Sequence, residues 1–362
     1  MKKIHYIIIV IMSSVACIVL SCQNNGTTTT DEYTNTYFKR EQLKNIYDNE
    51  IIPLHQEFST ETQILLNKSL GFSNNINVEN LVLLKQQWKI ATSVWKKCEL
   101  YDIGAIKNSF IHYTINSWPV NASFIENSIA TTTTINENYI SSIGFSSRGI
   151  VAIEYLLFNS DEATTISNFQ NSAARLDYLN ACIAVLHTNA DTILNQWTIN
   201  HNEFVTNIQE GISGSQNEII NNMVSLLEEI IMSKLNNAIN QNNSSELEAF
   251  RSDYSLELIK NNITAIHRCY TGDFRFTPNR IGFKKYLTEL GNTELVTKID
   301  EQFNTIISKI DAMNPSLNTN INNNLETVNE LKSDIETLLF LVKIEMSQAI
   351  GSTITFNSND GD

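Results

Sequence analysis

Apolar residues in this chain recur in alternating steps of three and four. Leu176, Leu179, Ile183, Leu186, Ala190, Ile193 and Trp197 make one such stripe, and Leu325, Val328, Leu331, Ile335, Leu338, Val342, Met346 and Ala349 make another. An α-helix turns once in 3.6 residues, so this spacing places one apolar face toward a core. Less regular stripes run through Leu43, Ile46, Tyr47, Glu50, Ile51 and Leu54, through Leu84, Trp88, Ala91, Trp95 and Cys98, and through Ile219, Met223, Leu226, Leu227 and Ile230. Each predicts a helix. Loops are predicted at the breakers Asp102-Ile103-Gly104, Ser117-Trp118-Pro119, Gly211 to Gly214, Thr271-Gly272-Asp273 and Asn314-Pro315. About eight long helices follow from these boundaries.

Composition supports the same class. Only 4 prolines and 12 glycines occur in 362 residues, which suits long helices and excludes a β-sandwich with its many turns. The expected fold is therefore all-α. Such a length exceeds the usual single core, so two helical bundles are expected, residues 36–212 and 213–362, with a cleft between them.

The N-terminus predicts export. Lys2 and Lys3 precede a mostly apolar, uncharged run from Tyr6 to Leu20, which gives way at Ser21-Cys22 to polar Gln23-Asn24-Asn25. This run is shorter than the ~20 apolar residues of a spanning helix, so residues 1–21 read as a signal peptide. Val19-Leu20-Ser21-Cys22 resembles the bacterial lipobox, in which the cysteine is acylated and becomes the new N-terminus. The competing Ala16-Cys17 would cut the apolar run in its middle. Lipidation at Cys22 would make the lipid bilayer a partner, because each buried methylene contributes about 0.8 kcal/mol and two chains anchor stably. Gln23 in place of Asp after that cysteine points to the outer membrane, facing the periplasm. Residues 22–35, rich in Thr and Asn, read as a flexible tether.

Charge narrows the partners. The chain carries 25 Lys and Arg against 39 Asp and Glu, a net charge of −14, and loss of Lys2 and Lys3 leaves −16. With no basic cluster, it lacks the means to neutralise phosphates, which excludes nucleic acid and favours cations or basic partners. Past Cys22 the cysteines are Cys98, Cys182 and Cys269, with no Cys-x-x-Cys spacing, each inside an apolar segment; they read as buried hydrophobes. The histidines of the mature chain, His55, His112, His187, His201 and His267, are scattered. His55 with Glu57 and His201 with Glu203 have i, i+2 spacing, which points side chains apart on a helix. No His-Glu-x-x-His, Gly-x-Ser-x-Gly or phosphate-cradling Gly-rich loop is present.

The segment Ser146 to Phe158 stands out. As a helix it is apolar on every side, with Glu154 the lone charge between Arg148 and Phe158. Such a helix is buried, and a carboxylate carried inside must be protonated, hydrogen-bonded, paired or bound to a cation. Glu154 is thereby a candidate site residue.

Gly149-Ile150-Val151-Ala152-Ile153-Glu154 resembles the Gly-x-His-x-x-Glu signature of the imelysin family, also classed as the M75 peptidases. Gly149 and Glu154 match, and Val151 replaces the histidine. Trp95 to Ile106, Ile115 to Asn121 and Ile350 to Asp362 resemble further family stretches. The resemblance implies a two-bundle, all-α fold with the signature helix near the cleft, and links to bacterial iron uptake. It also implies a metal-dependent peptidase, in which His and Glu on one helical face share an ion. Valine cannot ligate, so proteolysis is not expected. The expectation is a non-enzymatic envelope lipoprotein holding iron, another divalent metal, a metal chelate or a small ligand in the cleft. Glu154 would be the charged or metal contact, Gly149 the matching signature glycine, Trp118 a cleft wall, and Arg148 and Arg280 anion contacts, with an outer-membrane receptor as a protein partner. A metallopeptidase and an interaction protein with an inactive site are the alternatives.

Overall fold

The computed structural model describes residues 28–274 and 281–355 of the chain. The signal segment, Cys22, Arg280 and residues 356–362 lie outside the described residues. Among those described, every regular element is helical. The longer helices are α1 (Thr28–Ile46), α2 (Ile52–Asn74), α3 (Val78–Cys98), α4 (Gly149–Phe158), α5 (Ala173–Ile199), α6 (Ser215–Glu229), α7 (Ser255–Thr271), α8 (Thr293–Ala312) and α9 (Leu325–Phe340). All five apolar stripes fall on helices. The first helix starts earlier than expected, since residues 28–35 of the stretch read as a tether continue it. Extending an existing helix requires no new nucleus, and this outweighs the weak helical preference of Thr and Asn.

Local chemistry sets the helix ends. The Asn77 side chain accepts from the Asn80 N–H at 2.9 Å and starts α3, and Ser172 accepts from the Arg175 N–H at 3.2 Å and starts α5. Three long helices each contain a π turn, at Tyr47–Ile51 between α1 and α2, Ile230–Asn236 after α6, and Leu341–Met346 after α9. Such a turn admits one extra residue and shifts the apolar stripe around the axis, which is why the stripe through Ile46, Tyr47 and Ile51 is less regular than a single helix would give.

In the N-terminal half, α2 packs against α3 and α5, and α4 is wedged between α3 and α5. In the C-terminal half, α7 lies against α8, α8 against α9, and α6 against α9 and its π turn. The halves meet where α7 runs along α3, and their buried apolar side chains form one continuous cluster from Leu43 to Ile350. After α9 and its π turn, the extended tail is held on α6. Asn217 Oδ1 accepts from the Thr353 N–H at 2.7 Å, Asn221 Oδ1 accepts from the Thr355 N–H at 2.8 Å, and both amides donate to the Thr353 carbonyl.

Candidate ligand-binding cavity

The last turn of α3 carries Lys96, fully buried, into the junction of the halves. An isolated buried ammonium would be prohibitively costly, so it must be paired. Its Nζ lies 2.6 Å from Glu99 Oε1 and 2.5 Å from Glu248 Oε1. Lys234, in the π turn after α6, stands 3.3 Å from Glu248 Oε2 and 3.3 Å from Glu229, and donates to Asn262 Oδ1 at 2.8 Å. Asn262 donates in turn to the Lys96 carbonyl and to Glu99 Oε2. Burial opposes charge on Lys234, but the carboxylates of Glu229, Glu248 and Glu99 outweigh it and raise the ammonium above its ordinary value. Burial likewise opposes charge on Glu248, and Lys234 and Lys96 together hold its carboxyl well below the usual range. The network ties α3, α6 and its π turn, α7 and the segment around Glu248 into one unit.

Beside this network opens a cavity of about 420 Å³, walled by the end of α3, the segment from Asp102 to Trp118, α6 and Glu248. Buried polar atoms almost always find hydrogen-bond partners. Here they do not. Trp95 Nε1, Asp102 Oδ1 and Asn116 Oδ1 are buried without one, and His112 Nδ1 and Glu248 Oε2 each meet an ionic neighbour without a hydrogen bond, Asp102 at 3.1 Å and Lys234 at 3.3 Å. All five belong to residues lining this one cavity. At its mouth Phe110 is 60 % exposed and held at φ 56°, a backbone state that bulky residues rarely adopt. Tyr113 stacks on it at 6.3 Å and Phe145 stacks on Tyr113 at 5.9 Å.

Of the residues singled out by sequence, Trp118 lines this cavity and the others described do not. Glu154 is 4 % exposed, as its greasy surroundings predict. Its Oε1 accepts from both the N–H and the Oγ–H of Ser252, each at 2.9 Å, so hydrogen bonding satisfies it in place of a cleft ligand. Burial raises its pKa, and the charge of Glu248, itself on the cavity wall, adds to the rise. Glu154 is not among the residues that line the cavity. Gly149 has φ 69°, and a Cβ there would lie 2.3 Å from the Ile115 carbonyl oxygen; its role is close backbone packing, not contact with a ligand. The Arg148 guanidinium donates through Nη1 to the carbonyls of Ile140 and Ser141 and covers the Phe145 ring, its Nε is buried without a partner, and it does not line this cavity. Arg280 lies outside the described residues.

Sequence reasoning missed Glu99, Asp102, His112, Asn116, Glu229 and Glu248. One signal was available: Glu99, Asp102, Asn116 and Trp118 all fall in the Trp95–Ile106 and Ile115–Asn121 stretches that carried the family likeness.

Residues 51–338 match the imelysin family model, peptidase M75. The chain belongs to the imelysin family. Solved structures with this fold include an imelysin-like protein from Psychrobacter arcticum, with a TM-score of 0.75 and 15% identity over 89% of this chain and 98% of that one. A second, from Parabacteroides distasonis, is described as an iron-regulated protein A precursor; its TM-score is 0.70 at 18% identity, covering 84% of this chain and 94% of that one. No curated protein sequence matches the chain. The metal pair implied by the imelysin signature does not fit this member. Val151 offers no donor atom, Glu154 Oε1 is engaged by Ser252, and among the described residues no group of three or more His, Cys, Asp and Glu is placed to hold a metal ion.

Proposed function

We propose that this imelysin is an exported, lipid-anchored protein of the cell envelope that binds a small polar ligand in the cavity between its halves, in the service of iron acquisition. One observation carries the reading: three buried polar atoms with no partner, Trp95 Nε1, Asp102 Oδ1 and Asn116 Oδ1, belong to residues that line a single cavity. Leaving such groups unmade costs about 1–3 kcal/mol each, a cost that a complementary ligand would recover. The iron connection draws on the family and on the Parabacteroides protein's description. The proposed attachment, read from the N-terminal sequence, is through acyl chains on Cys22.

The test is equilibrium binding of ferrous iron and of ferric citrate to the full-length protein in detergent. Saturable binding of either, weakened by Trp118→Leu, supports the reading. If neither iron species binds, the iron assignment fails. Chelator-sensitive hydrolysis of a peptide by the purified protein would instead revive the metallopeptidase alternative.

A further inference from the structure

We infer that the cavity is built for a small organic cation, an alkyl chain ending in a primary ammonium or guanidinium group; this rests on the cavity-binding part of the reading above and not on its iron assignment, and names the ligand class. Charge is the first argument. Glu99, Asp102, Glu229 and Glu248 line the cavity, and Lys107 is the lone lysine among its lining residues. Lys96 and Lys234, behind the wall, are consumed by Glu99 and Glu248, and Lys107 also answers Glu218, which does not line this cavity. Four lining carboxylates thus share three ammonium groups, with His112 meeting Asp102 at 3.1 Å, an excess of one negative charge while His112 is neutral. An anionic ligand would enlarge that excess and a cation relieves it.

Hydrogen bonding is the second argument. Two of the orphaned atoms, Asp102 Oδ1 and Asn116 Oδ1, are oxygens, and an ammonium group carries three N–H donors with no acceptor. The third argument is the aromatic wall. Trp118, Tyr113 and Phe110 line the same cavity, and ring faces beside carboxylates attract organic cations. A bare metal ion needs its ligands gathered at one point, and these carboxylates are not so gathered. A cationic group on an alkyl chain can instead spread its contacts between carboxylates and rings.

The test is calorimetric titration of the full-length protein in detergent with spermidine and with L-argininamide, beside citrate, ferric citrate and glucose. Saturable binding of a cation is expected, weakening as salt rises because screening shortens the reach of the carboxylates. Glu229→Gln and Trp118→Leu should each weaken it by about tenfold, with native helical content and a cooperative unfolding transition as proof that the variants fold. Saturable binding of citrate, ferric citrate or glucose alone, lost in Trp118→Leu, overturns the cation class while the cavity reading stands. Absence of binding by any of the five sinks both.

Discussion

Glu50 shows how one side chain can make the stability of the molecule depend on pH. It sits in the π turn between α1 and α2, 1 % exposed, with Oε2 accepting from Arg268 of α7 at 2.6 Å and Oε1 unbonded. Burial pushes its carboxyl up to about 7 despite Arg268; Lys97 lowers it in part and Glu57 raises it. Because the folded value exceeds the unfolded one, the folded protein holds a proton that the unfolded chain releases. The resulting stability is full below about pH 4.5 and lost as pH rises through about 7. The swing is on the order of 3 kcal/mol. Urea unfolding at pH 5 and pH 8 checks this, with wild type expected to lose stability across the interval and Glu50→Gln to show a flatter response. An equal pH response in both proteins would refute the assignment. At this scale the sequence was partly legible. The burial of Glu154 followed from its apolar neighbours, but its partner Ser252 lies 98 residues away, and no local pattern announces such a meeting. Glu50 stood openly within an apolar stripe, yet that position alone did not reveal that Arg268 would face it.

At the scale of elements, the Lys96–Glu248 contact joins α3 to the segment before α7 through a pair withdrawn from water. Removing one member of such a pair strands the other, costing about 3–5 kcal/mol, whereas replacing both with apolar groups is often neutral. Lys96→Met and Glu248→Leu should therefore each destabilise strongly, and the double variant should lose less than the two losses added together, while Lys234 and Glu99 each still forfeit a partner. Denaturant unfolding of the four proteins, read as a double-mutant cycle, measures the coupling; simple additivity would mean that the pair does not act as a unit. Helices were the most legible part of the sequence, because a 3.6-residue period is a local property. Lys234 illustrates the limit. It stands three and four residues after Ile231 and Ile230, on the apolar face, a visible anomaly whose meaning depends on Glu229, Glu248 and Glu99 arriving from elsewhere.

For the whole molecule, the lipid attachment proposed above is tested at Cys22. Radiolabelled palmitate should enter the wild-type protein and not Cys22→Ser, which should appear in the soluble fraction; membrane retention of that variant would remove the lipid anchor from the account. The far end of the chain has its own logic. Asn217 and Asn221 are one helical step of four apart, about 6 Å along the axis, and Thr353 and Thr355 are two residues apart in extended chain, about 6.6 Å. The two rulers nearly agree, so α6 grips the main chain of the tail as a neighbouring strand would, through amides in place of a ladder. What this grip measures is length. Most side chains at 353 to 355 are interchangeable to it, whereas a single residue inserted after Gly351 would throw the carbonyl and amides out of step and cast the tail loose from the shoulder of the molecule.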